Sequence, residues 1–294
     1  MDKFCIITNN DKDKDYKVSK KIKAYLESQN KICYIAKEAS DHVNEYDPYI
    51  DVDAVDDDTD LALVLGGDGT MIQAANDLVY KNIPLIGINL GTLGFMAEVE
   101  QDNMVPVFEK LFKDEYTVDT RMMLYGNVLH YAAYRNTSYK GHALNDIVIS
   151  KRGLCRIITV QVYVNDRLVD TYLCDGLVVS TPTGSTGYNL SAGGPIVFPE
   201  IEAIMITAIC PHTLNNRCIM VSAKDKVVLV LGKSKTSVND EANVIFDGRL
   251  VRNIDSGDRI EITRAKEVTE IVKVTDTSFY DVVREKILKG RCEG

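Results

Sequence analysis

The sequence lacks a hydrophobic run long enough to span a membrane. A membrane helix needs roughly 20 consecutive apolar residues, and no stretch of the 294 residues approaches that length. The N-terminal segment also lacks the basic region, apolar core and small-residue cleavage site of a secretory signal. We therefore expect a cytoplasmic protein that has no membrane partner.

Clusters of metal-ligating residues are lacking as well. The seven cysteines are odd in number, no C-x-x-C motif occurs, and the four histidines are scattered along the chain. This pattern favours reduced thiols over disulfides and argues against a zinc site. We expect no protein-bound metal.

The sequence has too little positive charge to attract polyanions in bulk. It carries 34 lysines and arginines against 43 aspartates and glutamates, a formal net charge of −9. An acidic chain repels nucleic acids and anionic membranes, so we expect neither as a partner. Any anionic ligand must be held by local features such as backbone N–H groups.

The first third of the chain alternates between apolar runs and segments of helical periodicity. Continuous apolar runs are typical of strands that are covered on both faces. The predicted strands are 4–8, 31–36, 61–65 and 84–90, and the predicted helices are 16–28 and 70–81. Alternation of this kind predicts a parallel, doubly wound, Rossmann-like α/β domain over residues 1–120.

The pattern changes after about residue 120, where short segments alternate apolar and polar residues. We predict a β-rich, sandwich-like domain over residues 121–272, with a hairpin turn at Val164–Arg167. Helical spacing returns near the C-terminus. A C-terminal helix over residues 273–294 is expected to pack back onto the first domain.

A glycine-rich turn, Gly-Gly-Asp-Gly-Thr at 66–70, follows the third predicted strand. Glycines let the backbone approach a ligand closely, and the N–H groups at a helix start favour phosphate. The turn matches neither the Walker A pattern nor G-x-G-x-x-G. Asp68 is unusual beside phosphate. A carboxylate there could accept the proton of an attacking hydroxyl, or it could cap a helix that begins near Thr70.

Three further stretches of the sequence indicate a binding site for a nucleoside. Phe95 ends an Asn-Leu-Gly-Thr-Leu-Gly-Phe stretch and could line a base-binding pocket or belong to the core. Asn145 and Asp146 precede an apolar strand, and this pair suits a nucleoside, although Asn-Asp is also a common turn. The segment 181–195 combines hydroxyls, glycines and one aromatic ring, which are the groups that a purine site needs.

The glycine turn resembles the motif shared by NAD kinases, diacylglycerol kinases and sphingosine kinases. The Thr-Pro-Thr-Gly-Ser-Thr run and the segments 211–217, 246–248 and 279–287 are similar to the NAD kinase family in particular. This resemblance implies transfer of the γ-phosphoryl group of ATP, or of phosphate from polyphosphate, to the adenosine 2′-hydroxyl of NAD⁺, giving NADP⁺. It also implies an NAD-binding second domain, a ligand cleft between the domains, Mg²⁺ or another divalent cation with ATP, and a homodimer or homotetramer.

The resemblance also assigns roles to particular residues. Asp68 matches the proton acceptor of the family. The expected phosphate-binding residues are Gly66, Gly67, Gly69 and Thr70. The expected substrate-binding residues are Gly69, Phe95, Asn145, Asp146, Arg156, Asp175, Thr183, Thr186, Gly187, Tyr188, Asn189, Leu190 and Ser191.

Four positions depart from the family pattern. Gly187 stands where alanine is usual, Cys218 replaces a proline, Arg249 stands where glutamine is common, and Leu173 where many members carry a basic residue. The departures at Arg249 and Leu173 concern the residues that hold the nicotinamide end of NAD and its phosphate.

Two alternative functions stay open, a lipid kinase and a non-catalytic NAD(P)-binding protein. The acidic charge of the chain argues against the lipid kinase.

Overall fold

The computed structural model describes residues 1–39, 49–91, 94–97, 99–130, 138–153, 157–213, 217–233 and 241–288. No helix within these residues is both long enough and apolar enough to cross a membrane. The strands are β1 Lys3–Thr8, β2 Ile32–Ile35, β3 Leu61–Gly66, β4 Leu85–Asn89, β5 Val99–Glu100, β6 Thr117–Leu129, β7 Tyr139–Ala143, β8 Asp146–Lys151, β9 Ile158–Val164, β10 Arg167–Cys174, β11 Gly176–Ser180, β12 Ala203–Ile209, β13 Ile219–Ser222, β14 Val227–Leu231, β15 Glu241–Phe246, β16 Arg249–Asp255 and β17 Arg259–Lys273.

The helical segments are fewer and several are short. The α-helices are α1 Lys17–Ser28, α2 Asp68–Asp77, α3 Met104–Phe112, α4 Tyr188–Ser191 and α5 Phe279–Val283. Single 3-10 turns lie at Lys14–Tyr16, Val52–Ala54, Gln101–Asn103 and Thr183–Thr186, and a π-helical turn lies at Arg284–Leu288. The chain divides into two compact units, 1–120 with 269–294 and 121–268.

The first unit is built on a parallel sheet in the order β2-β1-β3-β4. Ile271, near the end of β17, pairs in parallel with Leu85 and so extends this sheet. One face buries Ile22 and Leu26 of α1 and Phe108 of α3 in a shared apolar cluster. A parallel sheet requires cover on both faces, and α2 supplies cover on the other.

Gly87 shows how closely α2 approaches the sheet. A Cβ atom at this position would lie 3.1 Å from Sδ of Met71 and 2.6 Å from Cα of Ala97. The neighbouring residues on β4, Ile86 and Ile88, point into the cluster on the opposite face, because side chains alternate along a strand. Helices thus cover both faces of the sheet, and the predicted doubly wound α/β class is confirmed.

The second unit is a sandwich of antiparallel sheets. One sheet has the order β13-β12-β11-β8-β15-β16, and the strands β10-β9-β14-β17 form a second layer. Alternate residues of both layers meet in one fully buried apolar cluster, for example Ile147 and Leu177 from the first sheet with Val160 and Leu229 from the second. This packing confirms the predicted β-rich class.

The predicted hairpin turn is present. β9 ends at Val164 and β10 begins at Arg167. The two residues between them, Asn165 and Asp166, have φ angles of 48° and 64°. Two consecutive positive φ values are the signature of a type I′ turn, which asparagine and aspartate tolerate better than other non-glycine residues.

Two predicted helix limits are wrong. α2 begins at Asp68 rather than Thr70, because Gly67 takes the extended N-cap conformation. The C-terminal segment does not become helical at 273, since β17 continues to Lys273 as part of the first unit's sheet. The helix begins at Phe279 after a capping box between Ser278 and Asp281, and residues 289–294 lie outside the described part of the chain.

Candidate active site

The glycine turn joins β3 to α2 in the first unit. Gly66 ends the strand, and a Cβ atom there would collide with the side chain of Thr70, which is buried. Around Gly69 nothing lies within 4 Å of the point that a Cβ would occupy. The first N–H groups of a helix have no partner within it and carry its positive dipole end. The turn is therefore suited to bind an anion.

The carboxylate of Asp68 is held by the segment that follows β4. One oxygen accepts the backbone N–H of Phe95 at 2.8 Å, and the other accepts the N–H of Met96 at 2.9 Å. A Cβ atom at Gly94 would overlap this carboxylate. Glycine at 94 is thus a steric requirement for the approach of Asp68.

The alternative interpretation of Asp68 as a helix cap is wrong. Gly67 is the N-cap residue, and its cap makes no side-chain hydrogen bond. Asp68 is the first residue of α2, and its oxygens bind a segment distant in sequence. The carboxylate is instead fixed next to the glycine turn, with further lone pairs available on both oxygens.

Phe95 is half-buried within the first unit. Its ring centroid lies 6.2 Å from that of Phe279, and Nζ of Lys286 lies 5.0 Å from its centroid. The C-terminal helical turns therefore contact the segment that fixes Asp68. A base-binding role for Phe95 remains a prediction.

Asn145 and Asp146 lie at the start of β8 in the second unit. Asp146 is only 6% exposed, and burial raises its pKa to about 7, with a further contribution from the negative charge of Asp247. The side-chain oxygen of Asn145 is buried and has no hydrogen-bond partner among the described residues. A buried polar atom of this kind requires an explanation, and a bound ligand with a donor group supplies one.

The run from Thr181 to Thr186 packs directly on the backbone of Asn145. The N–H of Thr181 donates to the carbonyl oxygen of Asn145 at 2.8 Å, and its hydroxyl donates to that of Leu144 at 2.6 Å. A Cβ atom at Gly184 would overlap the same Asn145 carbonyl. Small residues are needed here because two backbone segments touch.

The remaining residues of this run differ in their exposure. Thr183 is buried, Thr186, Gly187 and Leu190 are half-buried, and Tyr188 and Ser191 are exposed. Burial raises the pKa of Tyr188, and Asp146 and Asp175 are among the neighbouring acidic groups that raise it further. The phenol of Tyr188 therefore lies near two of the predicted substrate-binding carboxylates.

Asn189 lies differently from its neighbours on α4. It is fully buried, its Nδ2 donates to the carbonyl oxygen of Pro195 at 3.2 Å, and its Oδ1 accepts the hydroxyl of Thr207 at 2.7 Å. Its amide thus holds the segment together internally. The family resemblance assigned Asn189 to the substrate site, and that substrate contact remains a prediction.

Asp175 follows β10 and forms an ion pair with Lys151, with 2.6 Å between the nitrogen and the carboxylate oxygen.

The four residues that depart from the family pattern differ in exposure. Leu173 is exposed, and Gly187, Cys218 and Arg249 are half-buried. Arg156 lies outside the described residues, so its predicted substrate contact remains a prediction.

Asp247 lies in the segment 246–248, which resembles the family, but no site role was predicted for it from the sequence. Its carboxylate accepts the N–H groups of Leu144, Asn145 and Asp146 at 2.6, 2.8 and 2.8 Å. The available signal was the Asp-Gly pair after an apolar run, which predicts a hairpin turn. The partners themselves are about a hundred residues away and leave no trace in the local pattern.

Two family models match different parts of the chain. Residues 4–116 match the family model of the ATP-NAD kinase N-terminal domain, and residues 144–274 match that of the ATP-NAD kinase C-terminal domain. The NAD kinase of Lachnoclostridium phytofermentans is 44% identical over 286 residues, which are 97% of this chain and 99% of that protein. The NAD kinase of Lachnospira eligens is 40% identical over 298 residues, 98% of this chain and 100% of that protein.

Solved structures with a similar fold are more distant in sequence. Yeast NADH kinase complexed with NADH superposes with a TM-score of 0.81 at 22% identity, over 98% of this chain and 88% of that chain. An NAD kinase from Archaeoglobus fulgidus in complex with ATP gives a TM-score of 0.72 at 23% identity, over 99% and 100%. At such identities the likeness shows the fold alone.

Proposed function

We propose that this chain, which belongs to the NAD kinase family and is an enzyme that phosphorylates NAD, uses Asp68 to accept the proton of the attacking hydroxyl. In the proposed step the adenosine 2′-oxygen of NAD⁺ forms a bond to the γ-phosphorus of ATP. The bond from that phosphorus to the β,γ-bridging oxygen breaks, and ADP leaves. The proton of the hydroxyl passes to the carboxylate, and NADP⁺ is formed.

The observation that carries the proposal is the fixed carboxylate of Asp68 at the start of α2. A general base must be held within hydrogen-bond reach of the proton that it removes. The two N–H groups that bind Asp68 leave each oxygen able to accept a further proton donor. The glycines on either side of Asp68 supply the backbone groups that bind phosphate. The base and the binding site of the phosphoryl donor therefore lie in one short segment.

The adenosine of NAD is assigned to the second unit. The buried oxygen of Asn145 needs a donor, and an amino group on a purine or a ribose hydroxyl meets that need. The ionised carboxylate of Asp146 accepts hydrogen bonds from the ribose hydroxyls. Thr183, Thr186, Gly187 and Tyr188 are proposed to complete the pocket.

The divalent cation is proposed to enter as the Mg²⁺ complex of ATP and thus as part of the substrate. The described residues contain no group of three or more histidine, cysteine, aspartate or glutamate side chains that could hold a metal ion. In phosphoryl transfer, Mg²⁺ is commonly held by substrate phosphates with few protein ligands. When bound, the cation neutralises charge on the phosphates.

The experiment is to incubate the purified protein with Mg²⁺-ATP and NAD⁺ and to measure NADP⁺ with an NADP-specific dehydrogenase. We expect NADP⁺ formation and no phosphorylation of diacylglycerol or sphingosine. NAD binding without NADP⁺ would favour the non-catalytic alternative. Turnover of a lipid with none of NAD would favour the lipid kinase.

Lys12 is a further contact for the phosphoryl donor. It is exposed, and its Nζ lies 3.7 Å from the point that a Cβ on Gly67 would occupy and 3.9 Å from that point on Gly91. An ammonium group close to both Gly67 and Gly91 is placed to bind phosphate oxygens. Lys12→Met should raise the KM for ATP about tenfold, or about 1.4 kcal/mol, and leave the KM for NAD unchanged.

Lys14→Met is the matched control for Lys12, since Lys14 is an exposed lysine two residues away. Steady-state kinetics with ATP varied at saturating NAD, and the reverse, separate the two KM values. An equal effect of both substitutions, or none from Lys12→Met, would remove Lys12 from the donor site.

Association of subunits is proposed to involve the second unit. Leu168, Val169 and Leu173 of β10 are exposed apolar residues, and within the described residues β10 pairs only with β9. An exposed apolar edge strand needs cover. We expect a homodimer or homotetramer by light scattering at micromolar concentration, and a monomer would contradict this.

A further inference from the structure

The turn between β15 and β16 places one carboxylate against three consecutive backbone N–H groups. Asp247 and Gly248 form this turn with φ angles of 47° and 80°. The carboxylate of Asp247 binds the N–H groups of residues 144 to 146, and its own N–H donates to the carbonyl oxygen of Asp146 at 2.9 Å. Each of the two segments therefore donates hydrogen bonds to the other and accepts hydrogen bonds from it.

This arrangement fixes the conformation of the Asn145–Asp146 pair. Three N–H groups that point at one carboxylate leave the local backbone little freedom to rotate. From the other direction, the carbonyl oxygen of Asn145 accepts the N–H of Thr181 and the hydroxyl of Ser180. The side chain of Asn145 nevertheless keeps an unpartnered oxygen. The backbone is thus fully bonded while the side chain is left for another group.

We infer that Asp247 is a positioning residue for the nucleoside: its carboxylate holds the backbone of residues 144 to 146 so that the side chains of Asn145 and Asp146 are presented to the acceptor substrate. This inference rests on the proposed function, because it takes NAD as the ligand of the pair. It adds to that function a residue that acts through its neighbours and need not touch the substrate.

Asp247 also affects the charge state of Asp146. Burial and the negative charge of Asp247 both raise the pKa of Asp146. Tyr188 of α4 also interacts with Asp146. Its phenol is neutral near pH 7, because the ordinary pKa of tyrosine is about 10 and burial raises the pKa of Tyr188 further. Loss of the charge at 247 should therefore lower the pH at which Asp146 ionises, and with it the pH at which NAD binding reaches its full strength.

The test is calorimetric titration of NAD into the wild-type protein and Asp247→Asn from pH 5.5 to pH 8.5. We expect Asp247→Asn to bind NAD about tenfold more weakly at pH 8. We also expect the decline of affinity on acidification, near pH 7 in the wild type, to move lower by at least half a pH unit. Circular dichroism establishes that the variant is folded. Asp225→Asn is the control, because Asp225 also accepts a turn N–H, from Ser222, at an exposed site.

A carboxylate that serves stability alone would weaken NAD binding without moving the pH at which affinity declines, and that result would overturn the inference. Unchanged NAD affinity in a folded Asp247→Asn would also overturn it. If Asp247→Asn does not fold, Asp247→Glu replaces it: the charge is kept but the oxygens are displaced, so affinity should fall while the pH of the decline stays near 7. Equal affinity in the Glu variant would contradict positioning. Failure of the wild type to bind NAD at any pH would instead remove the proposed function itself.

Discussion

Asp68→Asn is expected to lower kcat by about two orders of magnitude or more, while NAD affinity changes little. A general base contributes ~10²–10⁴-fold to rate, and a hundredfold loss corresponds to about 2.7 kcal/mol of transition-state stabilisation. The amide cannot accept the proton of the hydroxyl at neutral pH. Steady-state kinetics give kcat, and calorimetry gives the affinity for NAD.

The structure adds a second expected effect of this substitution. The carboxylate of Asp68 accepts the N–H groups of both Phe95 and Met96. An asparagine offers one oxygen and turns its NH₂ group towards the other N–H. We expect a loss of stability of about 1–3 kcal/mol from the unsatisfied donor, measured by thermal unfolding. Kinetics are therefore compared well below the melting temperature of the variant.

Gly94→Ala is the companion variant, since it keeps the carboxylate and displaces it. Its Cβ would overlap the side chain of Asp68, so kcat should also fall although residue 68 is unchanged. Near-normal kcat in Asp68→Asn would mean that the carboxylate serves only to hold the segment 94–97. A loss of kcat confined to Asp68→Asn, with Gly94→Ala fully active, would show that the exact placement of the base matters little.

Asp146→Asn is expected to stabilise the folded protein at pH 8 while it weakens NAD binding about tenfold. The folded-state pKa of Asp146 is about 7, above the ordinary value of 3.8. Between these values the folded protein holds a proton that the unfolded chain has released. Stability therefore falls as the pH rises from about 4 to 7, and above that the penalty is complete. A shift of this size corresponds to a few kcal/mol.

Urea unfolding without NAD at pH 4 and pH 8 tests this prediction. The gain in Asp146→Asn should be about 2–4 kcal/mol at pH 8 and close to zero at pH 4, where the wild-type carboxyl is protonated. A difference that does not depend on pH would mean that the residue affects stability through packing. A less stable variant at pH 8 would show that the carboxylate is better accommodated than its burial indicates.

Local pattern was enough to predict the fold class and the glycine turn. The apolar run at 61–65, the glycines and the following helical spacing belong to one continuous stretch, so a βαβ unit follows from neighbouring residues. The turn at Asn165 and Asp166 was likewise predicted from neighbouring residues alone. The family resemblance then supplied the activity, and the comparisons confirm the NAD kinase family; the roles of individual residues stay predictions.

Contacts between distant residues could not be predicted in this way. The partners of Asp68, the three N–H groups bound by Asp247 and the internal bonds of Asn189 all join segments that are far apart in the chain or depend on tertiary packing. The place of residues 269–273 in the first unit's sheet was missed for a related reason. It is set by the pairing of Ile271 with Leu85, and no pattern within these residues identifies that partner.

The pairing of Ile271 with Leu85 constrains the order in which the protein folds while it is being synthesised. β4 is synthesised early, but the strand that pairs with it on this edge is made only when most of the chain already exists. Until then, among the described residues, β5 pairs with this edge only at Ile88 and Asn89, and the part of the edge at Leu85 is open to other strands. The first unit therefore completes its fold after the second unit has been translated, although its N-terminal residues leave the exit tunnel first.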